Sequence, residues 1–460
     1  MAERIRYENR MSNMDAMMWR MEKDPMLRST ITALFVFDSA PDRDAVVAKV
    51  DRATRLVPRL RQRVVGNPMS LVPPRWEIDP NFDLHYHLRW VNAPGGGTVR
   101  EVLDMVEPIA MAGFDRARPL WEFTIVEAMA GGGAALVFKL NHAVSDGVGL
   151  VSVAPHIIDL DADPQAAQMP PAPEARVLSP WERVVDGTVH ELAHQRGAWR
   201  RRADVLREIA LHPLRESAAL RDTTASVAKF VAPASEHLSD LLTPRSLSVQ
   251  LDVMDLPLDG LKRAAKAANG KLNDAFVAAV CGGFARYHAR MGVEAKALRM
   301  AMPINVRSDE TRNLAGNQFV PARFNVPTNV ADPVERMLVI RNLVGRERRE
   351  PALQLMEPVA TLINRVPSTL VHPFFGAVLK GVDFFTSNVP GLPVPVYLGG
   401  ARLEASYAFG PLTGAAANLT ILSYCDGVHL GINSDPAAVT DRAAFLECLD
   451  EGFAEVLALA

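Results

Sequence analysis

Apolar and polar positions along the chain follow two periods, and the switches between them mark the elements. Thr30 to Phe37 and Leu120 to Val126 are runs of strand length. Ala134 to Leu140 is an apolar run that predicts a buried strand. Asp42 to Leu56 repeats apolar residues at helical spacing through Val46, Val47, Val50, Ala53 and Leu56. Ser12 is a helix cap for a short helix to about Lys23, which Asp24-Pro25 ends. Leu84 to Val91 alternates as a strand does, and Asn92 to Thr98, with three consecutive glycines, is a loop. Val148 to Leu160 predicts a helix.

Asp161 to Pro180 is rich in Pro, Ala and Asp, the composition of a connector. Trp181 to Leu241 is helical in character. A second half then begins, with a strand over Leu247 to Val253 and a helix over Leu258 to Ala268. Asn269-Gly270 suits a left-handed cap at the end of that helix. A longer helix over Leu272 to Arg290 follows, then a strand over Leu298 to Ile304 and a helix over Pro333 to Arg348. Phe384 to Val389, Tyr397 to Ala401, Leu419 to Tyr424 and Gly427 to Asn433 predict strands, and Asp441 to Leu457 a terminal amphipathic helix. The plan is α/β, in three parts: an N-terminal half over 1–160, a connector and helical linker over 161–246, and a C-terminal half over 247–460.

Length agrees with this plan, because 460 residues exceed one ordinary core. A hydrophobic content of 48% with 22% charged residues fits a globular chain. The net charge of −3 and the absence of interleaved basic and aromatic motifs argue against a nucleic-acid partner. Cys281, Cys425 and Cys448 are widely spaced, which predicts buried free thiols in a reducing compartment and no zinc site. Met11 to Met21 is interrupted by Asn13, Asp15 and Arg20, so no signal region is expected. No stretch approaches the roughly 18 uncharged apolar residues of a membrane span. A cytoplasmic protein is expected, with attachment to a membrane surface left open.

Two segments are strongly basic. Arg55, Arg59, Arg61 and Arg63 predict a solvated helix end and strand edge rather than an anion site. His194 to Arg221 carries seven Arg against Asp204, Glu208 and Glu216, with Trp199, Leu206 and Ile209 between them. A solvated linker helix and a surface for an anionic membrane or lipid droplet both fit that pattern.

The segment with the most chemical content is Asn141-His142-Ala143-Val144-Ser145-Asp146-Gly147, after the Ala134 to Leu140 run. A His and an Asp four residues apart, on a turn between strand and helix, give a positioned base and a group that can fix the backbone. Gly147 permits conformations closed to other residues and a close approach by substrate.

This segment resembles the HHxxxDG motif of the CoA-dependent acyltransferase superfamily, which includes chloramphenicol acetyltransferase and the condensation domains of peptide synthetases. Further markers appear in order: Met14-Asp15-Ala16 with Asp24-Pro25-Met26, Val57 to Arg63, Trp76 to Leu88, Pro119-Leu120-Trp121, Asn273-Asp274, and Ser387-Asn388-Val389-Pro390-Gly391. On these the chain is similar to the bacterial wax ester synthase/diacylglycerol acyltransferases. Two positions depart from the family pattern: Asn141 stands where the first His is usual, and Leu392 where Pro often follows.

The resemblance implies two chloramphenicol-acetyltransferase-like lobes with mixed sheets around a tunnel, with strand crossover between them. It implies long-chain acyl-CoA as co-substrate, no bound cofactor or metal, and diacylglycerol or a fatty alcohol as acceptor. It makes His142 the general base. Asp146 acts mainly through structure, with Arg307 as its ion-pair partner. Asn273, Asp274 and Asn388 then support the site, although Asn273 also fits a helix cap and Asn388 a turn. Trp121 is expected to pack in the core at the lobe junction. Asn141 can donate and accept hydrogen bonds to hold the loop but cannot titrate. Two other activities stay compatible with these residues: a condensation-type transfer to a specialised alcohol or from a carrier-bound acyl group, and non-catalytic lipid or membrane binding.

Overall fold

The computed structural model describes residues 7–66, 72–144, 154–165, 167–193, 238–305, 319–348 and 381–460. Its strands in chain order are β1 (Thr30–Phe37), β2 (Gln62–Val65), β3 (Arg75–Ile78), β4 (Leu88–Asn92), β5 (Trp121–Glu127), β6 (Ala134–Asn141) and β7 (Gln250–Pro257). The C-terminal half continues with β8 (Ala297–Asn305), β9 (Phe319–Pro327), β10 (Phe384–Val389), β11 (Tyr397–Leu398), β12 (Ala401–Phe409), β13 (Ala417–Tyr424) and β14 (Gly427–Ser434).

Two six-stranded mixed sheets organise the molecule. The first runs β11-β12-β1-β6-β5-β4, the second β7-β14-β13-β10-β8-β9. Two strands of the first sheet, β11 and β12, come from the C-terminal half, and β12 pairs antiparallel with β1. This is the crossover that the family resemblance implies. It works because β12 can run close to the second sheet. A Cβ on Gly431 of β14 would stand 2.1 Å from the Ala408 carbonyl oxygen, so only glycine fits there. Asn433 Nδ2 donates to the Gly410 carbonyl at 2.9 Å and ties the end of β12 to the second sheet.

Period-2 alternation sends one face of each sheet toward helices and the other toward its partner sheet. Leu34, Val137 and Phe409 pack against Val102, Leu103 and Val106 of the helix Val99–Met111. On the second sheet, Phe384 and Leu419 pack with the helices Leu272–Arg290 and Arg442–Leu457. The opposite faces, including Ala33 and Phe35 on β1 and Phe385 on β10, look into a shared cavity. The lobes are also clamped by charge. Asp252 of β7 accepts from Arg100 and Arg442 at 2.9 Å each, and Glu107 accepts from the Leu251 amide at 3.0 Å.

Several elements form where the sequence places them. Ser12 caps Asn13–Met21, Asp42 caps Arg43–Leu56, and Asn269 adopts the left-handed conformation (φ 50°) after Leu258–Ala267. Four expectations need correction. Leu84 to Val91 is not one strand: Leu84–His87 is a helical turn, started by Asp83 accepting from the His85 amide at 3.0 Å, and β4 begins at Leu88. Helix Val99–Met111 and the hairpin β2–β3 were not expected. The helical stretch after the connector covers 180–193, and 238–241 are not helical; residues 194–237, with the Arg-rich segment, lie outside the described residues.

The fourth correction is the basic cluster after Leu56, which is not solvated. Arg59 is 4% exposed, stacks over Trp76 at 4.2 Å and donates to Gln62 at 2.8 Å. Burial pulls its pKa down to about 10 against the opposing field of Asp15. Arg61 and Arg55 both bond Asp51, at 2.7 Å each. Cys281 and Cys448 are buried and Cys425 half-buried, all three as free thiols. Burial pushes the Cys281 thiol up to about 12. No helix among the described residues is long and apolar enough to cross a membrane.

Candidate functional site

β6 delivers His142 into the cavity. Leu136 and Phe138 face the cavity, and His142 continues their two-residue period beyond the strand's end at Asn141. The turn is pinned at three points. The Asn141 amide donates to the Leu120 carbonyl at 3.0 Å, His142 N to the Ser29 carbonyl at 2.9 Å, and Val144 N to the Asn141 carbonyl at 2.9 Å.

Asn141, 1% exposed, shapes this turn with its side chain. Its Oδ1 accepts from Ala143 N at 2.9 Å, and its Nδ2 donates to Glu22 Oε1 at 2.7 Å. Glu22 was not singled out in the sequence. Its Oε1 also accepts from the Ser29 amide at 3.0 Å and from the Ser29 hydroxyl. One buried carboxylate thus fixes both neighbours of the His142 backbone. Arg116 lies 3.9 Å from Glu22 Oε2 and stacks over Trp19 at 4.1 Å, which partly balances the buried charge.

Beneath the turn lies a chain of hydrogen bonds through segments remote in sequence. Trp121, fully buried, donates from Nε1 to the Leu60 carbonyl at 2.7 Å. His87 Nδ1 donates to the Trp121 carbonyl at 2.7 Å, and its ring stacks on the indole with centroids 4.6 Å apart. The carbonyl requires the proton on Nδ1, which leaves Nε2 buried without a hydrogen-bond partner. Burial lowers the pKa of His87 to about 4, so it is a neutral structural histidine.

The cavity itself has a volume of about 390 Å³. Met14, Met17 and Met21 line it from the N-terminal helix, Ile157 and Ile158 from the chain beyond the His142 turn, and Leu398 and Leu403 from the crossover. The second sheet contributes Pro303, Phe385, Ser387, Val389 and Thr420. A hydroxyl brought beside His142 would meet an imidazole on the wall of a mostly apolar space. Among the described residues, no group of His, Cys, Asp or Glu converges as a metal site.

A family profile described as the wax ester synthase/diacylglycerol acyltransferase catalytic domain matches residues 11–276, and the corresponding C-terminal domain matches 315–456. The chain belongs to the wax ester synthase/diacylglycerol acyltransferase family. A Mycobacterium tuberculosis protein named as a diacylglycerol O-acyltransferase is 37% identical over 462 residues, covering 100% of this chain and 94% of that protein. Among solved structures, the wax ester synthase/diacylglycerol acyltransferase of Marinobacter aquaeolei VT8 shares the fold with a TM-score of 0.63. It is 21% identical, over 97% of this chain and 98% of its own. The first condensation domain of the calcium-dependent antibiotic synthetase has a TM-score of 0.61 at 14% identity, over 100% and 96%. The protein is therefore an acyltransferase of this family, on a two-lobed fold.

The family's remaining markers fall into three groups. Ser387, Val389, Pro390, Gly391 and Leu392 line the cavity, whereas Asn388 is exposed at the end of β10, in a strand rather than a turn. Gly391 is required by packing: a Cβ there would stand 1.7 Å from the Ser423 carbonyl oxygen. Asn273 and Asp274 do not line the cavity. Lys271, not Asn273, holds the cap position of Leu272–Arg290, and Asp274 closes that cap by accepting from Lys271 N at 2.7 Å. Asn273 Nδ2 contacts Met302 Sδ at 3.5 Å, one residue before Pro303 of the cavity wall. Asp146, Gly147 and Arg307 lie outside the described residues.

Proposed function

We propose that this acyltransferase esterifies diacylglycerol, or a long-chain alcohol, with the acyl group of a long-chain acyl-CoA. The observation that carries the proposal is His142 on the wall of a mostly apolar cavity of about 390 Å³ between the two sheets. Acyl chains and glycerides are the substrates that such a wall favours, since each buried methylene gains about 0.8 kcal/mol.

His142 is the general base. It takes the proton of the acceptor hydroxyl as the oxygen attacks the thioester carbonyl carbon. The tetrahedral intermediate collapses with loss of the carbon–sulfur bond, and the imidazolium returns the proton to the departing CoA thiolate. The products are an ester and free CoA, with no covalent acyl-enzyme. Asp146 acts mainly through structure, as the ion-pair partner of Arg307, and Gly147 permits a close approach by substrate. Asn141 braces the turn, and Asn273, Asp274 and Asn388 hold the surrounding lobe edges. The Arg-rich segment His194 to Arg221 favours peripheral attachment to an anionic membrane or a lipid inclusion.

The test is a panel of diacylglycerol and alkanols with labelled palmitoyl-CoA, run on wild type and His142→Ala. Ester formation that drops by about 10²–10⁴ in the folded variant is expected. Wild-type turnover in His142→Ala removes the base assignment, and ester formation only from a carrier-bound acyl group removes the acyl-CoA assignment.

A further inference from the structure

Most arginines described on this protein are engaged by carboxylates or backbone carbonyls. A different surface lies where helix Leu258–Ala267 ends and helix Leu272–Arg290 begins. Lys262, Arg263, Lys266 and Lys271 surround a shallow depression there, with Asp259 as the acidic residue on its rim. All four cations are exposed, and none makes an ion pair with another described residue. Lys262 and Lys266 are one helical turn apart on the same face. Asp274, which follows in the next helix, accepts from the Lys271 amide at 2.7 Å. Arg341 adds a fifth cation nearby, bonded to the Ala268 and Asn269 carbonyls at 2.9 and 2.6 Å.

Four cations share this depression with one carboxylate, so the surface carries a net positive charge that favours an anion from outside the chain. The place of the cluster narrows the choice. Asn273, two residues after Lys271, touches Met302, and the next residue of β8, Pro303, lines the cavity. The Lys271 end of the basic surface therefore lies near the C-terminal end of β8, whose Pro303 lines the cavity. Acyl-CoA is itself divided in this way: an apolar acyl chain and thioester at one end, a multiply charged phosphate group at the other, joined by a long flexible arm.

We infer that Lys262, Arg263, Lys266 and Lys271 bind the phosphates of the CoA moiety while the thioester reaches into the cavity. The inference rests on the acyl-CoA reading given above and adds the subsite that holds its charged end. Specificity for CoA over shorter thioesters then resides on this surface, and the four cations set KM with little effect on the chemical step.

The experiment compares CoA with pantetheine, which has the same arm and no phosphates, by calorimetric titration of wild type and a Lys262→Glu/Lys266→Glu double variant. Both positions are exposed, so the fold is retained. The double variant should bind CoA about tenfold or more weakly, with the difference shrinking at roughly 0.5 M salt. Its KM for palmitoyl-CoA should rise in parallel, with kcat and the constants for palmitoyl-pantetheine within about twofold of wild type. Unchanged CoA affinity overturns the inference. So does an equal loss with both thioesters, or a loss seen only with diacylglycerol in anionic vesicles, which assigns the surface to a lipid headgroup. CoA that binds through these residues without any palmitoyl transfer leaves the subsite standing and sinks the acyl-CoA transfer reading instead.

Discussion

Asn141 Nδ2 donates to Glu22 Oε1 at 2.7 Å, and the same oxygen accepts from the Ser29 amide at 3.0 Å. Ser29 in turn receives the His142 amide on its carbonyl at 2.9 Å. The end of the first helix thereby fixes the backbone on which His142 stands. Removing the carboxylate leaves three donors without an acceptor. Glu22→Ala should lose about 3 kcal/mol of stability in denaturant unfolding and at least about tenfold in kcat/KM. Glu22→Gln keeps one acceptor oxygen and should fall between the two. Wild-type stability and turnover in Glu22→Ala would show that the turn holds itself.

Gly391 faces the Ser423 carbonyl so closely that any side chain must displace the backbone. Gly391→Ala should push Pro390 and Leu392 into the cavity that they line. Overpacking of this kind costs about 1–3 kcal/mol. Activity should fall more than this stability loss explains, because the displaced segment is cavity wall. Thermal unfolding and the alkanol length profile check it; an unaltered length profile would place the strain elsewhere.

His87 gives the protein a defined acid limit. Its folded pKa, about 4, lies below the ordinary value near 6.5. Between those values the unfolded chain binds the proton and the native one does not, so stability rises with pH there. The contribution is complete above about 6.5 and is lost as pH falls toward 4, to a ceiling of roughly 3 kcal/mol. His87→Phe keeps a ring against Trp121 and should flatten unfolding free energy between pH 4 and 6.5. An unchanged slope would assign the acid sensitivity to other groups.

Local chemistry made much of this fold legible in the sequence. Ser12 and Asp42 announce helices through their own side chains, and Thr30 to Phe37 carries the period of a strand. Thr98 and Glu101 form a capping box that signals helix Val99–Met111 equally well, directly after the triple glycine of the loop. His142 is visible because its motif is contiguous. Glu22 is not, since its bond to Asn141 spans 119 residues. The basic residues near Arg59 misled for the same reason: Trp76 and Asp15, which make their burial tolerable, are distant in sequence. The ordered family markers now have a physical sense, because Leu60, His87, Trp121 and Asn141 are successive links beneath one turn.

Asn141 also supplies the sharpest test of how this chain departs from the usual family motif. Its side chain does two things: it donates to Glu22 and accepts from Ala143 N. A neutral imidazole has one donor and one acceptor and can do the same in one tautomer. The reaction moves a single proton from hydroxyl to thiolate, and one base suffices for it. Asn141→His should therefore leave kcat/KM within about tenfold of wild type. Beside the Glu22 carboxylate the new imidazole is favoured in its charged form. If that charge reached the reacting atoms, the rate would rise and a new ionisation would enter its pH profile near neutrality. Measuring kcat/KM against pH for both forms, with one acyl-CoA and one acceptor, separates the outcomes. A gain beyond tenfold, about 1.4 kcal/mol of barrier, would show that position 141 contributes to proton transfer and not only to holding the turn.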